Sequence, residues 1–265
     1  FDRFQRGKPW VGQSLGYYFV DHPDRPGYYR MVLLNEFIPG QTLGQYYDDK
    51  ESSAPGFAVQ LVDHTIEVFR MCQELEAYGL AHMDFKLDNI MVREGSGELV
   101  LIDFALFCGV TASSYVGLRT AEGTYGYMAP EVYSSSTGKA YSPYDPVQLG
   151  RVYKPRADVW SASMSFLEIV TEVQYLEEVF NLDSLIAEEA RLNRPKPGVT
   201  REQRSWDIRR TAMLRVISQE NIDSLREEFQ NSLYHLVLLD GLTFDAESRP
   251  SAEEMIEKLV LVTGR

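Results

Sequence analysis

The chain has 265 residues, of which 44% are hydrophobic and 25% are charged, a composition typical of a globular protein with one or two domains. Its formal net charge of −13 makes nucleic acids and anionic membrane surfaces poor partners. Two cysteines, Cys72 and Cys108, exclude a disulfide scaffold and a cysteine-based zinc site, and no run approaches the roughly 18 apolar residues of a membrane span. Whether the cysteines pair, and in which compartment the chain works, is left open.

The N-terminal part of the sequence predicts strands. Gly16–Val20 and Tyr28–Asn35 are rich in aromatic and β-branched residues and are joined by a turn of His, Pro, Asp, Arg and Gly residues. They are expected to form a β-hairpin. A short amphipathic helix is predicted from Thr42 to Tyr47.

The rest of the sequence predicts mainly helices. Apolar residues at helical spacing indicate a long helix over Phe57–Tyr78, which Gly79 would end. The nearly continuous apolar stretch Asp158–Thr171 predicts a buried helix. Further predicted elements are short strands at Ile90–Val92 and Leu99–Ile102, charge-rich helices within residues 184–230, and a last amphipathic helix at Ala252–Val262. Strands followed by helices predict an α+β fold.

Five short motifs follow one another along the chain. They are His82-Met83-Asp84-Phe85-Lys86-Leu87-Asp88-Asn89, Asp103-Phe104-Ala105, Gly123-Thr124 with Met128-Ala129-Pro130-Glu131, Asp158-Val159-Trp160, and Ser248-Arg249-Pro250. In this order and spacing they resemble the catalytic loop, magnesium loop, end of the activation segment and central helix of a eukaryotic-type protein kinase, with the last motif beyond them. One such motif alone would be weak evidence, but the ordered set is specific.

The resemblance implies a domain organisation. It implies a protein-kinase-like fold with a reduced N-terminal sheet lobe and a mainly helical C-terminal lobe. Residues 1–38 would be the partial nucleotide lobe and hinge, and residues 39–265 the helical lobe. Because 26 residues separate Glu131 from Asp158, an inserted surface loop is expected at about 134–154.

The resemblance also implies roles for four residues of the catalytic and magnesium loops. Asp84 would accept the proton of the substrate hydroxyl, and Lys86 would contact the transferred phosphate, as in serine/threonine kinases. Asn89 and Asp103 would be the two magnesium ligands, since amide and carboxylate oxygens suit a hard cation that keeps several waters.

Two substitutions distinguish these motifs from the usual kinase pattern. Met83 stands where most of the family has an arginine that docks a phosphorylated activation loop, so switching through this position is not expected. Ala105 replaces the glycine after Asp103-Phe104 and is expected to disfavour a loop that flips between two conformations.

The segment Glu36-Phe37-Ile38 resembles the hinge, so the backbones of Glu36 and Ile38 would bind adenine. Only 35 residues precede Glu36, which places the phosphate-pairing lysine and the glycine-rich loop before Phe1. Lys8 is expected to be a solvated charge and not a replacement for that lysine. A secreted apicomplexan group, the With-No-Gly-loop kinases and pseudokinases, is similar in lacking this loop, and membership would imply secretion into the parasitophorous vacuole.

Two functions follow from the resemblance. The first is a pseudokinase or divergent kinase that lacks the glycine-rich loop and acts by binding or scaffolding a protein partner. The alternative is an active serine/threonine kinase that uses ATP and magnesium to phosphorylate protein hydroxyls, which the intact Asp84, Lys86, Asn89 and Asp103 favour. Tyrosine specificity is disfavoured by Gly123-Thr124 and Lys86, and a small-molecule substrate is disfavoured by the residues from Gly123 to Glu131. The oligomeric state cannot be inferred from the sequence.

Two expectations concern the activation segment. Glu131 and Arg249 are expected to form a direct, largely buried ion pair that stabilises the fold. Hydroxyl groups of the segment are candidate phosphorylation sites, namely Ser113, Ser114, Tyr115 and Thr120.

Overall fold

The computed structural model of the chain describes residues 7–24, 26–106, 108–109, 123–124, 126–134, 156–171, 181–194, 198–199 and 201–265. Within them, the chain divides into two compact units. The first consists of Phe1–Phe57 and Leu87–Phe104, and the second of Ala58–Lys86 and Ala105–Arg265. The predicted boundary after residue 38 stays a prediction, and the predicted insertion at about 134–154 lies, apart from Ser134, outside the described residues.

The first unit contains two antiparallel sheets. Strands β1 (Ser14–Asp21) and β2 (Tyr29–Asn35) form a hairpin, as predicted. Residues 90–101 belong to this unit because their strands form a sheet with the short strand that follows Glu36-Phe37-Ile38. This second sheet has the order β3-β5-β6, with β3 at Gly40–Thr42, β5 at Ile90–Arg93 and β6 at Leu99–Leu101.

The segment before the hairpin extends the three-stranded sheet. Val11 forms a parallel bridge with Leu101, and the Gly12 N–H donates to the Leu101 carbonyl at 2.8 Å. Helix α1 (Leu43–Asp48) begins at Thr42, whose hydroxyl accepts the Gln45 N–H while the Gln45 side chain accepts the Thr42 N–H. This reciprocal cap explains why the helix begins directly after β3.

The second unit is mainly helical. Helix α2 (Phe57–Ala77) begins at the last residue of the first unit, and the strands β4 (Leu80–Ala81) and β7 (Cys108–Gly109) pair antiparallel. The further helices in the described part of the chain are α3 (Pro130–Ser134), α4 (Arg156–Thr171), α5 (Leu182–Leu192), α6 (Arg201–Val216), α7 (Gln219–Glu228), α8 (Leu233–Gly241) and α9 (Ala252–Thr263).

Helix α4 lies in the core of the second unit, as its sequence predicts. Trp160, Met164 and Leu167 are all buried. Helix α8 packs closely against α4 at Gly241. A Cβ atom there would lie 1.9 Å from the Ser163 hydroxyl, so only glycine allows this approach. The α+β class with a small antiparallel sheet and mostly helical remainder is confirmed.

Candidate active site

The catalytic-loop segment is held by a buried carboxylate of helix α4. Asp158 is almost fully buried, and its two oxygens accept the backbone N–H groups of His82 at 2.7 Å and of Met83 at 3.0 Å. Burial raises the pKa of Asp158 to about 7, the two hydrogen bonds oppose that rise, and the neighbouring carboxylates of Asp84 and Glu76 add to it.

Met83 has a backbone conformation that non-glycine residues rarely adopt. Its φ angle is 68°, in the left-handed region, and its side chain is buried. Such a conformation costs on the order of 1–3 kcal/mol and persists only where the surroundings enforce it. The hydrogen bond from the Met83 N–H to Asp158 is part of that enforcement, and it orients the next residue, Asp84.

Asp84 and Lys86 both contact Thr124. The Thr124 N–H donates to Asp84 Oδ1 at 2.8 Å, and Lys86 Nζ donates to the Thr124 hydroxyl at 2.8 Å. Lys86 Nζ also lies 3.8 Å from Asp84 Oδ2. The structure therefore brings the two predicted catalytic residues together and places a threonine between them, 40 residues from Asp84 along the chain.

Gly123 allows Thr124 to reach this position. Its φ angle is 140°, and a Cβ atom there would lie 2.7 Å from Met128 Cγ and 2.9 Å from the Met83 carbonyl oxygen. A side chain at this position would therefore be strained and would collide with the backbone of the catalytic loop. This close approach is the physical reason for glycine before Thr124.

Helix α4 holds the next part of the segment. The Ser161 hydroxyl donates to the Tyr127 carbonyl at 2.6 Å, and the Tyr127 hydroxyl donates to Glu168 Oε2 at 2.7 Å. Ser161, Tyr127 and Glu168 lie outside the set of site residues that the sequence motifs predict. The available signal was Glu168 itself, an acid in the apolar second half of this helix.

The segment ends at an ion pair. Arg249 donates to both oxygens of Glu131, with distances of 2.7 Å and 2.9 Å, and the Arg249 side chain is fully buried. The predicted direct and largely buried contact is confirmed. The predicted phosphorylation sites at Ser113, Ser114, Tyr115 and Thr120 lie outside the described residues.

The hinge segment lies in the first unit, where its acid is held on two sides. The Glu36 N–H donates to the Gln13 carbonyl at 2.8 Å, while the Glu36 carboxylate accepts the Gln13 N–H at 3.2 Å and the Arg93 guanidinium at 3.3 Å. Ile38 is buried, and its Cδ1 atom lies against Gly12, which also approaches the Ile102 side chain. The hinge segment is thus packed beside the residue that precedes Asp103.

The two predicted magnesium ligands also belong to the first unit. The Ile102 N–H donates to the Asn89 carbonyl at 2.8 Å, which ties the Asn89 stretch to the stretch that carries Asp103. Asn89 is buried at the end of a short 3₁₀ helix, Leu87–Asn89. Asp103 has a φ angle of 60°, a second left-handed non-glycine residue.

Ala105 lies in a short 3₁₀ helix, Phe104–Leu106, and not at a position of positive φ. An alanine fits this conformation without strain, and the unusual backbone conformation is found at Asp103 instead. Lys8 lies over the Trp10 ring, with Nζ 5.3 Å from the ring centroid, in a cation–π contact.

The structure brings the predicted residues into two groups. Asp84 and Lys86 meet at Thr124 in the second unit, whereas Glu36, Ile38, Asn89 and Asp103 lie in the first. That they serve one active site stays a prediction. No cluster of three or more histidine, cysteine, aspartate or glutamate side chains among the described residues could hold a metal ion, and none of the described helices has the length and apolar character of a membrane span.

Comparison with known proteins agrees with this geometry. The family described as protein kinase domain matches residues 18–261. The human Rho-associated protein kinase 1 is 30% identical over 195 residues, which cover 72% of this chain and 12% of that protein. The mouse sperm motility kinase 2A is 28% identical over 171 residues, 62% of this chain and 30% of that protein.

A bacterial relative, the probable serine/threonine-protein kinase PknB of Lactococcus lactis, is 26% identical over 102 residues, 38% of this chain and 16% of that protein. The chain thus spans only 12% to 30% of the length of these relatives. The family match, in contrast, extends over nearly the whole chain, from the hairpin to the last helix. The chain belongs to the protein kinase domain family and is of the eukaryotic type.

Proposed function

We propose that this chain is a serine/threonine protein kinase domain that transfers the γ-phosphoryl group of ATP to hydroxyls of a protein substrate. The observation that carries this proposal is the contact of Asp84 and Lys86 with Thr124. It holds the carboxylate and the cation that the chemistry needs beside a single threonine of the activation segment.

The residues of the second unit account for the acceptor side of the reaction. The acceptor oxygen forms a bond to the γ-phosphorus while the bond from that phosphorus to the β–γ bridging oxygen breaks, and ADP leaves. Asp84 accepts the hydroxyl proton, and its Oδ1 also accepts the Thr124 N–H, which fixes the orientation of the carboxylate. Lys86 places positive charge beside the transferred group.

The residues of the first unit account for the nucleotide side. The backbones of Glu36 and Ile38 would bind adenine, and Asn89 and Asp103 would hold magnesium through an amide and a carboxylate oxygen. This donor set fits Mg²⁺, which is usually bound through one or two carboxylates together with waters and phosphate oxygens. When bound, magnesium neutralises charge on the phosphates.

A second candidate function is a pseudokinase of the With-No-Gly-loop type that binds a protein partner without transferring phosphate. It is favoured by the buried Met83, which leaves the catalytic loop without the arginine usual at this position.

Radiolabelled phosphate transfer from ATP with magnesium to a generic serine/threonine acceptor protein tests the proposal. Asp84→Asn should lower turnover by roughly 10²–10⁴, the usual contribution of a positioned general base. Asp88→Asn is the matched control, because Asp88 is an exposed acid of the same loop and should leave turnover unchanged. A chain without transfer but with nucleotide or partner binding would support the second candidate instead.

Asp103→Ala separates the two sides of the site. The proposal expects this variant to lose turnover and magnesium-dependent nucleotide binding together, whereas Asp84→Asn should keep nucleotide binding. Turnover that persists in both variants would show that another protein in the preparation is the kinase.

A further inference from the structure

Helices α5 and α6 carry a basic stretch within a strongly acidic chain. From Arg191 to Arg215 the sequence has eight basic and two acidic residues, a local net charge of +6, whereas the whole chain carries −13. The residues outside this stretch therefore carry −19. Such a local reversal of charge is typical of a surface that attracts an anionic partner.

Three arginines of this stretch make up what we call the basic surface: Arg191, Arg194 and Arg201. All three are exposed, and their side chains form no hydrogen bond or ion pair with any residue that the structure describes. The chain has 39 acidic and 26 basic residues, so it is not short of acids that could pair with them. Their guanidinium groups are thus free to bind carboxylates of another molecule.

The packing of α5 against α6 brings the three arginines together. Arg204, on α6, donates to the Asn193 carbonyl at 2.8 Å and to the Ala190 carbonyl at 3.1 Å, at the C-terminal end of α5. Two arginines of the basic surface each follow one of these carbonyls by one residue, and the third precedes Arg204 by about one turn of α6. This contact fixes the backbone beneath the basic surface, so binding would require little further ordering.

The two acids that precede Arg191 on α5 do not cancel the charge of the basic surface. Arg215 donates to Glu188 Oε2 at 3.0 Å and to Glu189 Oε1 at 2.9 Å. Because these carboxylates already have a cationic partner, their charge is partly offset before any other molecule approaches.

An apolar side chain lies among the arginines. Leu192 is 69% exposed and is adjacent to Arg191 in the chain. An apolar side chain next to arginines lets a partner gain both burial and charge pairing, the combination that protein interfaces use.

We propose that the basic surface binds an acidic segment of another protein, whose carboxylates pair with the three arginines while an apolar side chain contacts Leu192. Arginine suits this partner because its planar guanidinium binds a carboxylate through two parallel hydrogen bonds. Helix α6 also packs against α3, so the bound protein would lie beside the end of the activation segment. The inference does not depend on phosphate transfer, since none of these residues belongs to the candidate active site.

Charge distinguishes a short acidic segment from larger anions. At physiological ionic strength an exposed charge acts over about 8 Å, so a short segment interacts mainly with the arginines. A nucleic acid or an anionic membrane extends well beyond that distance and meets the rest of the chain, which carries −19. Two copies of the chain repel each other for the same reason.

Fluorescence anisotropy of the full chain with a labelled synthetic peptide of aspartate and glutamate around a central leucine tests the proposal. The wild type should bind this peptide saturably, and added sodium chloride should weaken the binding. Arg191→Glu, Arg194→Glu and Arg201→Glu should each weaken it by roughly three- to tenfold. Arg70→Glu is the matched control, because Arg70 is an exposed arginine of α2 whose reversal changes the net charge equally and should leave the affinity unchanged.

Two further measurements separate specific binding from its alternatives. The same peptide with asparagine and glutamine in place of its acids should not bind, and the variants should unfold at the wild-type temperature because the substituted side chains are exposed. The proposal is overturned if the acidic peptide does not saturate the chain or if Arg70→Glu weakens binding as much as the other variants. It is also overturned if duplex DNA or phosphatidylserine vesicles bind the basic surface more tightly than the peptide does.

Discussion

The Arg249 guanidinium and the Glu131 carboxylate form a bidentate ion pair across 118 residues of sequence. The same guanidinium donates to the carbonyls of Thr243 at 3.0 Å and Arg156 at 2.9 Å and lies over the Trp160 ring. One buried side chain therefore links the end of the activation segment, the start of α4 and the loop before α9. Its role is architectural, because none of these partners belongs to the Asp84–Thr124 contact.

Removing one side chain of the Glu131–Arg249 ion pair should destabilise the fold strongly. Glu131→Ala leaves the fully buried Arg249 charge without its partner, so the free energy of unfolding should fall by about 3–5 kcal/mol in urea titrations. Arg215→Ala is the control, because Arg215 pairs with Glu188 and Glu189 while 43% of its side chain is exposed, so its loss should destabilise the fold far less. Equal losses for both variants would show that the buried pair is not structural.

The Thr124 hydroxyl should matter for turnover more than for stability. Thr124→Ala keeps the N–H group that binds Asp84 but removes the partner of Lys86, and a hydrogen bond to a charged group contributes about 1.5–3 kcal/mol. Phosphate transfer should therefore fall roughly 10- to 100-fold, while Thr124→Ser should keep most of it. The measurement is steady-state transfer to a serine/threonine acceptor; a serine variant as slow as the alanine variant would contradict the role of the hydroxyl.

The elements that the sequence predicted well are those whose pattern is local. The hairpin, the long helix α2 and the buried helix α4 each have a periodicity that is visible within 20 residues. The candidate site residues Asp84, Lys86, Asn89 and Asp103 came from ordered motifs, which report chemistry without geometry.

The contacts that position those residues could not be predicted in the same way. Thr124 binds Asp84 across 40 residues, and Asp158 binds Met83 across 75. The apolar stretch Asp158–Thr171 predicts a buried helix but not the partners of Asp158, which the structure buries against backbone N–H groups. Long-range hydrogen bonds of this kind have no local signature in one sequence.

Gly123→Ala should disturb the site that glycine permits. The new Cβ atom would lie 2.9 Å from the Met83 carbonyl oxygen at a φ angle of 140°, so Thr124 must move away from Asp84. Both the free energy of unfolding, by about 1–3 kcal/mol, and phosphate transfer should fall. Gly95→Ala is the matched control: its φ angle is also positive, at 84°, but no atom lies within 4 Å, so only stability should decrease. If the Gly123 variant keeps full turnover, Thr124 does not depend on this close approach.

Asp158 should make stability fall as the pH rises from about 4 to about 7. Burial raises the pKa of its carboxyl from 3.8 to about 7 in the folded chain, so between these values the folded state holds a proton that the unfolded state has lost. The stabilisation that this proton provides is complete below pH 3.8 and is lost as the pH passes through 7. Asp158→Asn does not titrate, so the free energy of unfolding of the wild type, relative to that variant, should decrease over this window and be constant above it.

Urea titrations of both proteins from pH 4 to pH 8 measure this difference. Glu254→Gln is the control of opposite sign, because hydrogen bonds from Ser251 lower the pKa of Glu254, and its stabilisation is therefore present above pH 4.5 and lost as the pH falls. A difference between the wild type and Asp158→Asn that does not change with pH would mean that Asp158 is ionised throughout. In that case the hydrogen bonds from His82 and Met83 would outweigh the burial of the charge, and the catalytic loop would be anchored by a permanent carboxylate.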